Sequence, residues 1–480
     1  MIRDKMLRFF AVVSAGLAMQ MAFAPMRLWA LAWFAFIPFF WAVIDSEKSK
    51  EAGMLGYIFG LVFYGFGLCW MPNVLSAWSL LLWAVFALWP MLYALLMKKF
   101  YARLKHNGLF TGILCSLASG FVWAAIEYIR AELLPFPCPW LCLGYSQSNA
   151  PLIYQSLALW GVYGLGAFMV FFSSGIAFYF KKARFTPLIA VLALTLLCAG
   201  GYYRGRYFKA DSGRPVNVAL VQTEFTDMDD NIALSSSPEV MKSDILLWPE
   251  TSFIVPKAGG QKHINYITDS LKDYGGVLAL ASGRYSAVKR YKTDENFIVF
   301  HEKGKEDRIY NKMHPVPFVE SGLVRNKRPE PVETSVGKIG AQICYDLAFE
   351  DGVRALNKKG AEIIISPALD PYYWGSEQHE QHSDMSSARA VESGLWVVRA
   401  ASSGRSQIID PLGKTVKELP VGEKGVLTGR AFMRRGGTVY TSFGWIIIPL
   451  SLVVLAAVLV VCLVKKTSSY NDVTIAVKEE

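Results

Sequence analysis

The feature that most constrains this 480-residue chain is a set of apolar runs, each close to the ~20 residues that carry a helix across a ~30 Å hydrocarbon layer. They lie near residues 7–25, 28–44, 53–72, 75–97, 109–130, 160–180, 186–203 and 443–464. A helix satisfies its own backbone hydrogen bonds inside lipid, so eight such runs predict a polytopic membrane domain of eight transmembrane helices. A buried core helix accounts for one such run, not for eight. Composition agrees, with 53% hydrophobic and 14% aromatic residues, above what soluble globular chains carry. The first run follows Arg3, Lys5 and Arg8 and precedes Ala22-Phe23-Ala24, which imitates a secretory signal and its cleavage site. Pro25 would stand directly after the cut, where its ring and missing N–H make a poor protease substrate, so the run is expected to stay as an anchor.

Orientation follows from the Lys and Arg of short loops. Lys48, Lys50, Lys98, Lys99, Arg103, Lys105, Lys181, Lys182, Arg184, Lys465 and Lys466 fall on the side of the N-terminus, which is therefore the cytoplasmic side. Opposite loops carry little beyond Arg27 and Arg130. The expected organisation is a seven-helix transmembrane domain over 1–203, an extracytoplasmic domain over 204–442, a C-terminal transmembrane helix over 443–465 and a cytoplasmic tail over 466–480, with both termini inside. The net charge of +10 sits largely in the cytoplasmic loops and tail, where orientation and anionic headgroups explain it, so nucleic acid is not an expected partner. Cys69, Cys115, Cys198 and Cys462 lie in or beside apolar runs and read as small hydrophobes. Cys138 and Cys142 share an outward loop, and either a disulfide or an interfacial turn fits them. Cys344 is the only cysteine within 204–442.

That segment alternates short apolar runs with helical spacing. Strands are expected at 216–221, 244–248, 277–281, 297–300, 338–343, 361–365, 395–399 and 406–410, and helices at 347–359 and 380–393. The alternation predicts an α/β domain of sheets covered by helices. Glu250, Cys344 and Asp370 each follow an apolar strand closely, the usual place for catalytic groups in such a domain.

A thiol with pKa ~8.5 is mostly protonated at neutral pH, so a nucleophilic cysteine needs a base for its proton and a cation for the oxyanion it generates. Glu250 supplies the base and Lys312 the cation; Glu320 holds Lys312, and the backbone N–H of Tyr345, directly after Cys344, is a second oxyanion donor. This chemistry requires no metal and no cofactor. Taken singly, a strand-end Glu is usually a surface residue, a Lys solvated and a buried Cys packing, so the argument rests on their joint occurrence. His379-Glu380-Gln381-His382 invites a zinc reading, but a metalloprotease helix spaces its histidines four apart and these are three apart. Trp140 and Tyr145 read as interface anchors of an outward loop.

The neighbours of these residues resemble the nitrilase, or carbon–nitrogen hydrolase, superfamily. Its acid follows Trp-Pro, its lysine stands in Tyr-x-Lys-x-His before Val-Pro-Phe, and its cysteine in Ile-Cys-Tyr, which here are Glu250, Lys312 and Cys344. Gly360-Ala361-Glu362, Arg389-Ala390-Val391-Glu392-Ser393-Gly394 and Ile409-Asp410-Pro411-Leu412-Gly413 extend the resemblance along the domain. His382 is similar to a histidine that the superfamily carries without metal. In the membrane half, Pro139-Trp140-Leu141, Gly144-Tyr145-Ser146-Gln147 and Gly161-Val162-Tyr163-Gly164 resemble segments of the bacterial apolipoprotein N-acyltransferases, which share the arrangement of helices around a nitrilase-like domain. The resemblance implies an αββα sandwich and a multi-pass inner-membrane protein with its catalytic domain on the periplasmic side; a monomer is expected, though nothing in the sequence fixes the oligomeric state. It also implies two steps, in which Cys344 takes an acyl chain from a phospholipid donor as a thioester and passes it to the N-terminal amine of a diacylglyceryl-cysteine lipoprotein. Glu250 is then base, Lys312 oxyanion stabiliser, and Glu320 and Tyr345 support them, while Trp140 and Tyr145 border the lipid entrance.

The chain departs from the family pattern in Asp346 where Glu is usual after Cys-Tyr, in Pro315 where Leu is usual, and in Leu369-Asp370-Pro371-Tyr372-Tyr373-Trp374 where Asn-Asp-x-Trp-Phe is usual. Tyr372, Tyr373 and Trp374 are expected to form a lid that dips into the headgroup layer, where amphipathic rings are favoured. Two other readings use the same residues. A membrane-anchored amidase would pass the acyl group to water, and a non-catalytic lipid-binding scaffold would keep the fold without needing the acid, lysine and thiol.

Overall fold

The computed structural model describes residues 2–104, 109–179, 185–224, 228–256, 259–285, 293–320 and 325–464. Lys105, Lys181, Lys182, Arg184, Lys465, Lys466 and the tail lie outside them. Among the described residues, five helices are long and apolar enough to cross a membrane: Trp78–Arg103, Leu109–Leu133, Leu157–Phe178, Thr186–Tyr207 and Gly444–Leu463. The other three expected spans are also helical, at Ile2–Met21, Ala32–Asp45 and Ser49–Gly67, but each is shorter or more polar than those five. Their polar ends meet one another: Arg8 Nη1 donates to Glu51 at 2.7 Å and Arg8 Nε lies 3.9 Å from Asp45.

Helix Ser49–Gly67 lies against Trp78–Arg103 through glycines. A Cβ on Gly56 would stand 2.5 Å from the Pro90 carbonyl, and one on Gly60 2.7 Å from Ala87 Cα. Small residues permit such close backbone approach, which is how helices associate where no water is available to drive them together. An aromatic cluster of Phe36, Phe39, Phe59, Tyr93 and Trp123 fills the centre of the helical half. Loop 134–150 is tied to helix Leu109–Tyr128 and its continuation by buried charges: Glu127 Oε1 accepts Leu143 N–H at 2.9 Å, and Arg130 Nη1 donates to the Cys138 carbonyl at 2.5 Å. Cys138 and Cys142 in this loop are both free and buried.

Among the described residues, thirteen strands lie between 214 and 433. β1 (Arg214–Gln222), β2 (Ile245–Leu247), β3 (Ile254–Pro256), β4 (Val277–Tyr285), β5 (Thr293–His301) and β6 (Arg308–Asn311) build one sheet. β7 (Val332–Thr334), β8 (Gly337–Ala341), β9 (Ile363–Ala368), β10 (Val397–Ala401), β11 (Ser406–Ile409) and β12 (Thr415–Leu419) build the second. β13 (Gly425–Met433) returns to the first sheet and pairs antiparallel with β1 from Arg214↔Met433 to Gln222↔Gly425. Val218, Leu220, Ile245 and Ala279 of the first sheet pack against Ile339, Ala341, Ile363 and Val398 of the second. Outside them, Ile264 and Ile267 of helix Gln261–Ser270 cover one sheet, and Val353, Leu356 and Ala390 of helices Glu350–Lys358 and Ser376–Ser393 cover the other. The layers run α, β, β, α, as the resemblance implied.

All eight expected strands are present. Not foreseen are β3, β6, β7, β12 and β13: the first three are three or four residues long, β12 is mostly exposed, and β13 is only half-buried. Such segments show neither a continuous apolar run nor clean alternation. Helices Met228–Ser235 and Gln261–Ser270 were likewise not foreseen, being short and largely polar. Pairs β2–β4 and β8–β9–β10 are parallel, so β2, β8 and β9 release their chains toward the site, which the expectation for Glu250, Cys344 and Asp370 required.

Candidate active site

Cys344 begins a tight 3-10 turn, Cys344–Ala348, directly beyond β8, and its φ is +50°. A non-glycine residue held in the left-handed region costs about 1–3 kcal/mol and persists only where its surroundings over-determine it. Asp346 does much of that holding. Its fully buried carboxylate accepts the N–H groups of Ile343 at 3.0 Å, Met313 at 3.0 Å and His314 at 2.6 Å, tying the cysteine turn to the loop after β6. The departure from Glu at this position therefore falls on an internal tie, not on the wall of the site. Cys344 is 5% exposed, and its sulfur lies 3.8 Å from the Leu369 carbonyl.

Glu250 reaches the same place from the end of β2. Its Oε1 accepts Lys312 Nζ at 2.8 Å and Asn296 Nδ2 at 3.0 Å, its Oε2 accepts Leu369 N–H at 3.0 Å, and the Cys344 thiol is within hydrogen-bonding reach. Lys312 Nζ lies 2.9 Å from each Glu320 oxygen, of which Oε2 also accepts Val316 N–H at 2.7 Å. An ammonium has three N–H groups. Two are spent on Glu250 and Glu320, which leaves one for a developing oxyanion. Burial opposes charge on Lys312, but the facing Glu250 and Glu320 carboxylates overcome it and raise the pKa well above the usual lysine value. Burial pushes the Glu250 carboxyl above its ordinary range, with Lys312 resisting, and burial together with Glu250 pushes the Cys344 thiol far up. Cys344 is therefore held as the thiol and Lys312 as the ammonium, with the Glu250 carboxyl in ion-pair contact with Lys312 at 2.8 Å and within hydrogen-bonding reach of the sulfur.

A second buried cluster lies behind the nucleophile. Asp370 pairs with Arg399, accepts Gln378 Nε2 at 3.1 Å and lies 2.8 Å from His382 Nδ1; His382 Nε2 lies 3.3 Å from the Cys344 carbonyl oxygen. Ligand atoms of Cys344, Asp370 and His382 lie within 4.8 Å of one another, close enough to hold a metal ion. The Arg399 guanidinium, 2.9 Å from His382 Nδ1 and paired to Asp370, already brings a cation to that cluster, so these residues do not fit a metal. The other members of 379–382 diverge: His379 Nε2 lies 2.9 Å from the Pro371 carbonyl, and Glu380 pairs with Arg27 and Arg405, each at 2.6 Å.

His314 stacks on Phe349 at 4.0 Å with both ring nitrogens 3.6 Å from carboxylates, those of Asp346 and Asp351. Burial opposes its charge, but the two carboxylates raise its pKa from 6.5 to about 9. A folded-state pKa above the unfolded one means stabilisation that is full below pH ~6.5 and is lost as pH rises through 9. Thermal unfolding followed between pH 6.5 and 9 should show the midpoint falling, the loss being on the order of 3 kcal/mol at most. His314→Gln should flatten that dependence; an unchanged slope would remove histidine as its source.

The sulfur opens into an apolar cleft enclosing about 720 Å³ of empty space, part of it open to the outside. One wall comes from the helical half, with Trp70, Val74, Leu82, Phe86 and Trp140, and the other from the sandwich, with Val316, Phe318, Tyr345 and Trp374. Trp140 stacks on Tyr345 at 5.6 Å, and Tyr345 donates its hydroxyl to the Pro137 carbonyl at 2.7 Å. Of the aromatic residues expected to face lipid, Trp140 and Trp374 line this cleft, while Tyr372 and Tyr373 are 67% and 60% exposed beside it. Tyr145 is a correction. It is 5% exposed, its hydroxyl bonds to Ala348 and Arg389 in the seam between the two halves, and it is not among the residues lining this cleft.

The sequence reading did not find Asn296, which bonds both Glu250 and Glu320, at 3.0 and 2.7 Å, nor Arg399. The signal for both was present: a polar side chain inside an apolar strand, Asn296 before Phe297-Ile298-Val299 and Arg399 after Val397-Val398. Leu82 and Phe86 carried no signal, since nothing in a helix's own sequence says which part of it faces a cleft.

Two sequence profiles match this chain, the Apolipoprotein N-acyltransferase N-terminal domain over residues 15–175 and the Carbon-nitrogen hydrolase over residues 275–432. The second contains Lys312 and Cys344 and begins after Glu250, so geometry alone joins that residue to them. Among curated relatives, the apolipoprotein N-acyltransferase of Rickettsia prowazekii is 28% identical, covering 91% of this chain and 95% of its own. That of Geobacter metallireducens is 25% identical over 91% of each. Among solved structures, Saccharomyces cerevisiae Nit3, a member of branch 10 of the nitrilase superfamily, is 21% identical with a TM-score of 0.37, covering 47% of this chain and 92% of that one.

Proposed function

The chain belongs to the apolipoprotein N-acyltransferase family and acts in lipoprotein N-acylation, and from that premise we propose that Glu250, Lys312 and Cys344 carry the transfer. In the first step Glu250 removes the Cys344 proton as the sulfur attacks the ester carbonyl of a phospholipid. The oxyanion is met by the free N–H of Lys312 and the backbone N–H of Tyr345. Collapse breaks the ester bond, the proton passes from Glu250 to the departing lysophospholipid oxygen, and the acyl chain remains as a thioester. In the second step the N-terminal amine of a diacylglyceryl-cysteine lipoprotein attacks that thioester. Glu250 takes the amine proton and returns it to sulfur, leaving an amide and the free thiol. Glu320 and Asn296 hold the lysine and the base in register.

One observation carries the choice of donor: Cys344 lines an apolar cleft between the halves, whose far wall belongs to helix Trp78–Arg103. An acyl chain fits such walls, and a small polar amide gains nothing from them. The exposed rings of Tyr372 and Tyr373, with Trp374, form its rim toward the headgroup layer.

The protein is a membrane protein of the inner-membrane type. We read its topology as eight spans, seven over 1–203 and one over 443–465, enclosing a periplasmic catalytic domain over 204–442. What supports the three shorter spans is that their polar ends gather at one level, with Arg8 on Glu51 and Lys98 Nζ donating to the Ile44 carbonyl at 2.8 Å. Charges of loops on one side of the bilayer meet in this way.

The test is incubation with acyl-labelled phospholipid. A hydroxylamine-sensitive adduct is expected on the intact protein and none on Cys344→Ala; passage of the label to the amine of a diacylated lipopeptide separates acyl transfer from hydrolysis. An adduct that survives in Cys344→Ala, or label released only to water, would overturn the assignment.

A further inference from the structure

The turn that carries the nucleophile is fastened at two places, one inside the sandwich and one outside it. The inner fastening is Asp346. The outer one runs through the helical half. Ala348, the last residue of the turn, has its carbonyl oxygen 3.2 Å from the Tyr145 hydroxyl, which belongs to loop 134–150. Arg389 Nη2, from helix Ser376–Ser393, donates to that same hydroxyl at 2.6 Å. A guanidinium can only donate, so the tyrosine oxygen must accept from it and aim its single proton at Ala348. Arg389 is in turn fixed by Glu392, 2.7 Å from its Nη1, and Glu392 Oε1 accepts Val162 N–H at 2.9 Å from helix Leu157–Tyr179. That N–H is available because Gly161, at φ +68°, breaks the helix one residue earlier. Tyr145, Arg389 and Glu392 are all buried, so each bond is made at low dielectric, where losing one partner leaves the other unsatisfied.

We propose that Tyr145 and Arg389 are positioning residues for the acyl transfer, holding the C-terminal end of the Cys344 turn so that its strained first residue keeps the sulfur and the Tyr345 N–H aligned on the ester. Val162, Tyr145 and the stacked Trp140 all come from the helical half, which makes that half a working part of the catalytic turn and not an anchor alone. The inference rests on Cys344 being the nucleophile.

The experiment uses the full-length protein in detergent or lipid nanodiscs, with the variants Tyr145→Phe and Arg389→Lys. Tyr145→Phe keeps the ring and removes the proton that reaches Ala348. Its single-turnover rate of thioester formation is expected to fall roughly tenfold to a hundredfold, in line with misaligned catalytic geometry, at unchanged KM for phospholipid. Alkylation of Cys344 by a small neutral haloacetamide should keep its wild-type rate, because the base and lysine are untouched. Arg389→Lys, which preserves the charge opposite Glu392, should lie between the two. A purely structural role would lower the melting temperature and weaken KM, rate and alkylation together. Wild-type thioester formation in Tyr145→Phe, or that uniform loss, overturns the proposal. Should Tyr145→Phe fail to yield folded protein, Arg389→Lys alone decides on the same rate-against-KM split. Cys344→Ala run in parallel keeps the two questions apart: an adduct there refutes the nucleophile, whereas its absence beside an unaffected Tyr145→Phe refutes only the relay.

Discussion

Replacing Lys312 by methionine is expected to abolish thioester formation, by roughly 10³-fold or more, and to destabilise the fold by about 3–5 kcal/mol. Both effects come from one side chain. The ammonium is buried between Glu250 at 2.8 Å and Glu320 at 2.9 Å, so its removal leaves two carboxylates sharing a dry site with Asn296 as their remaining common donor. One of them must then take up a proton. If it is Glu250, the base is lost together with the oxyanion donor. Arginine should not restore activity, because its planar fork cannot place a single N–H between two carboxylates and the substrate oxygen. The two effects separate in Lys312→Met with Glu320→Gln, which removes one orphaned charge: thermal unfolding in detergent should recover part of the loss while acyl labelling stays absent. Labelling of Lys312→Met within tenfold of the wild type would remove the ammonium from the mechanism.

Arg399→Met is expected to cost a similar amount, about 3–5 kcal/mol, at neutral pH, although Arg399 touches neither Glu250 nor the cleft. Burial pushes the Asp370 carboxyl up, but Arg399 first, then His382, hold it well below the usual carboxylate range. A depressed folded-state pKa means stability that is present above the unfolded value of ~3.9 and is lost only as pH falls through the folded one. Without Arg399 the sign reverses. Asp370 would become a buried carboxylate whose folded pKa is raised, so the penalty should be largest at neutral pH and shrink on acidification toward pH 4. Melting temperatures of wild type and variant measured from pH 7.5 down should therefore converge. Asp370→Asn combined with Arg399→Met should regain much of the stability at pH 7.5, since the orphaned charge is gone. Activity should fall in the single variant, because Asp370 orients His382 and His382 Nε2 faces the Cys344 carbonyl at 3.3 Å. A pH-independent penalty would mean that lost packing, and not charge, governs this cluster.

Much of this architecture was legible in the sequence because its causes are local. Runs such as Val218–Val221 and Ile363–Ile365 are apolar throughout and read as buried strands, and they lie in β1 and β9. Glu250, Lys312 and Cys344 stood in recognisable neighbourhoods, and the chain brings Lys312 and Cys344 each within hydrogen-bonding reach of Glu250. Where the reading failed, the cause was distant in sequence. Tyr145 reads as an interface aromatic until Ala348 and Arg389, over 200 residues away, are seen to claim its hydroxyl. Asp346 reads as a departure within the site until its carboxylate is seen spent on three backbone N–H groups. Strand β13 is visible mainly as the partner of β1, since only its register with Arg214–Gln222 makes a half-exposed segment extended.

By itself, then, the order of residues determined which segments seek lipid, which form strands, and which acid, lysine and thiol are chemically suited to act together, because hydrophobic period, turn residues and side-chain chemistry act over a few neighbouring positions. Only the tertiary structure decided that the sulfur faces an apolar cleft walled by helix Trp78–Arg103, and that its turn is held from the helical half. A cleft and a relay are properties of surfaces brought together by packing, and their free energy resides in contacts between residues that have no relation along the chain.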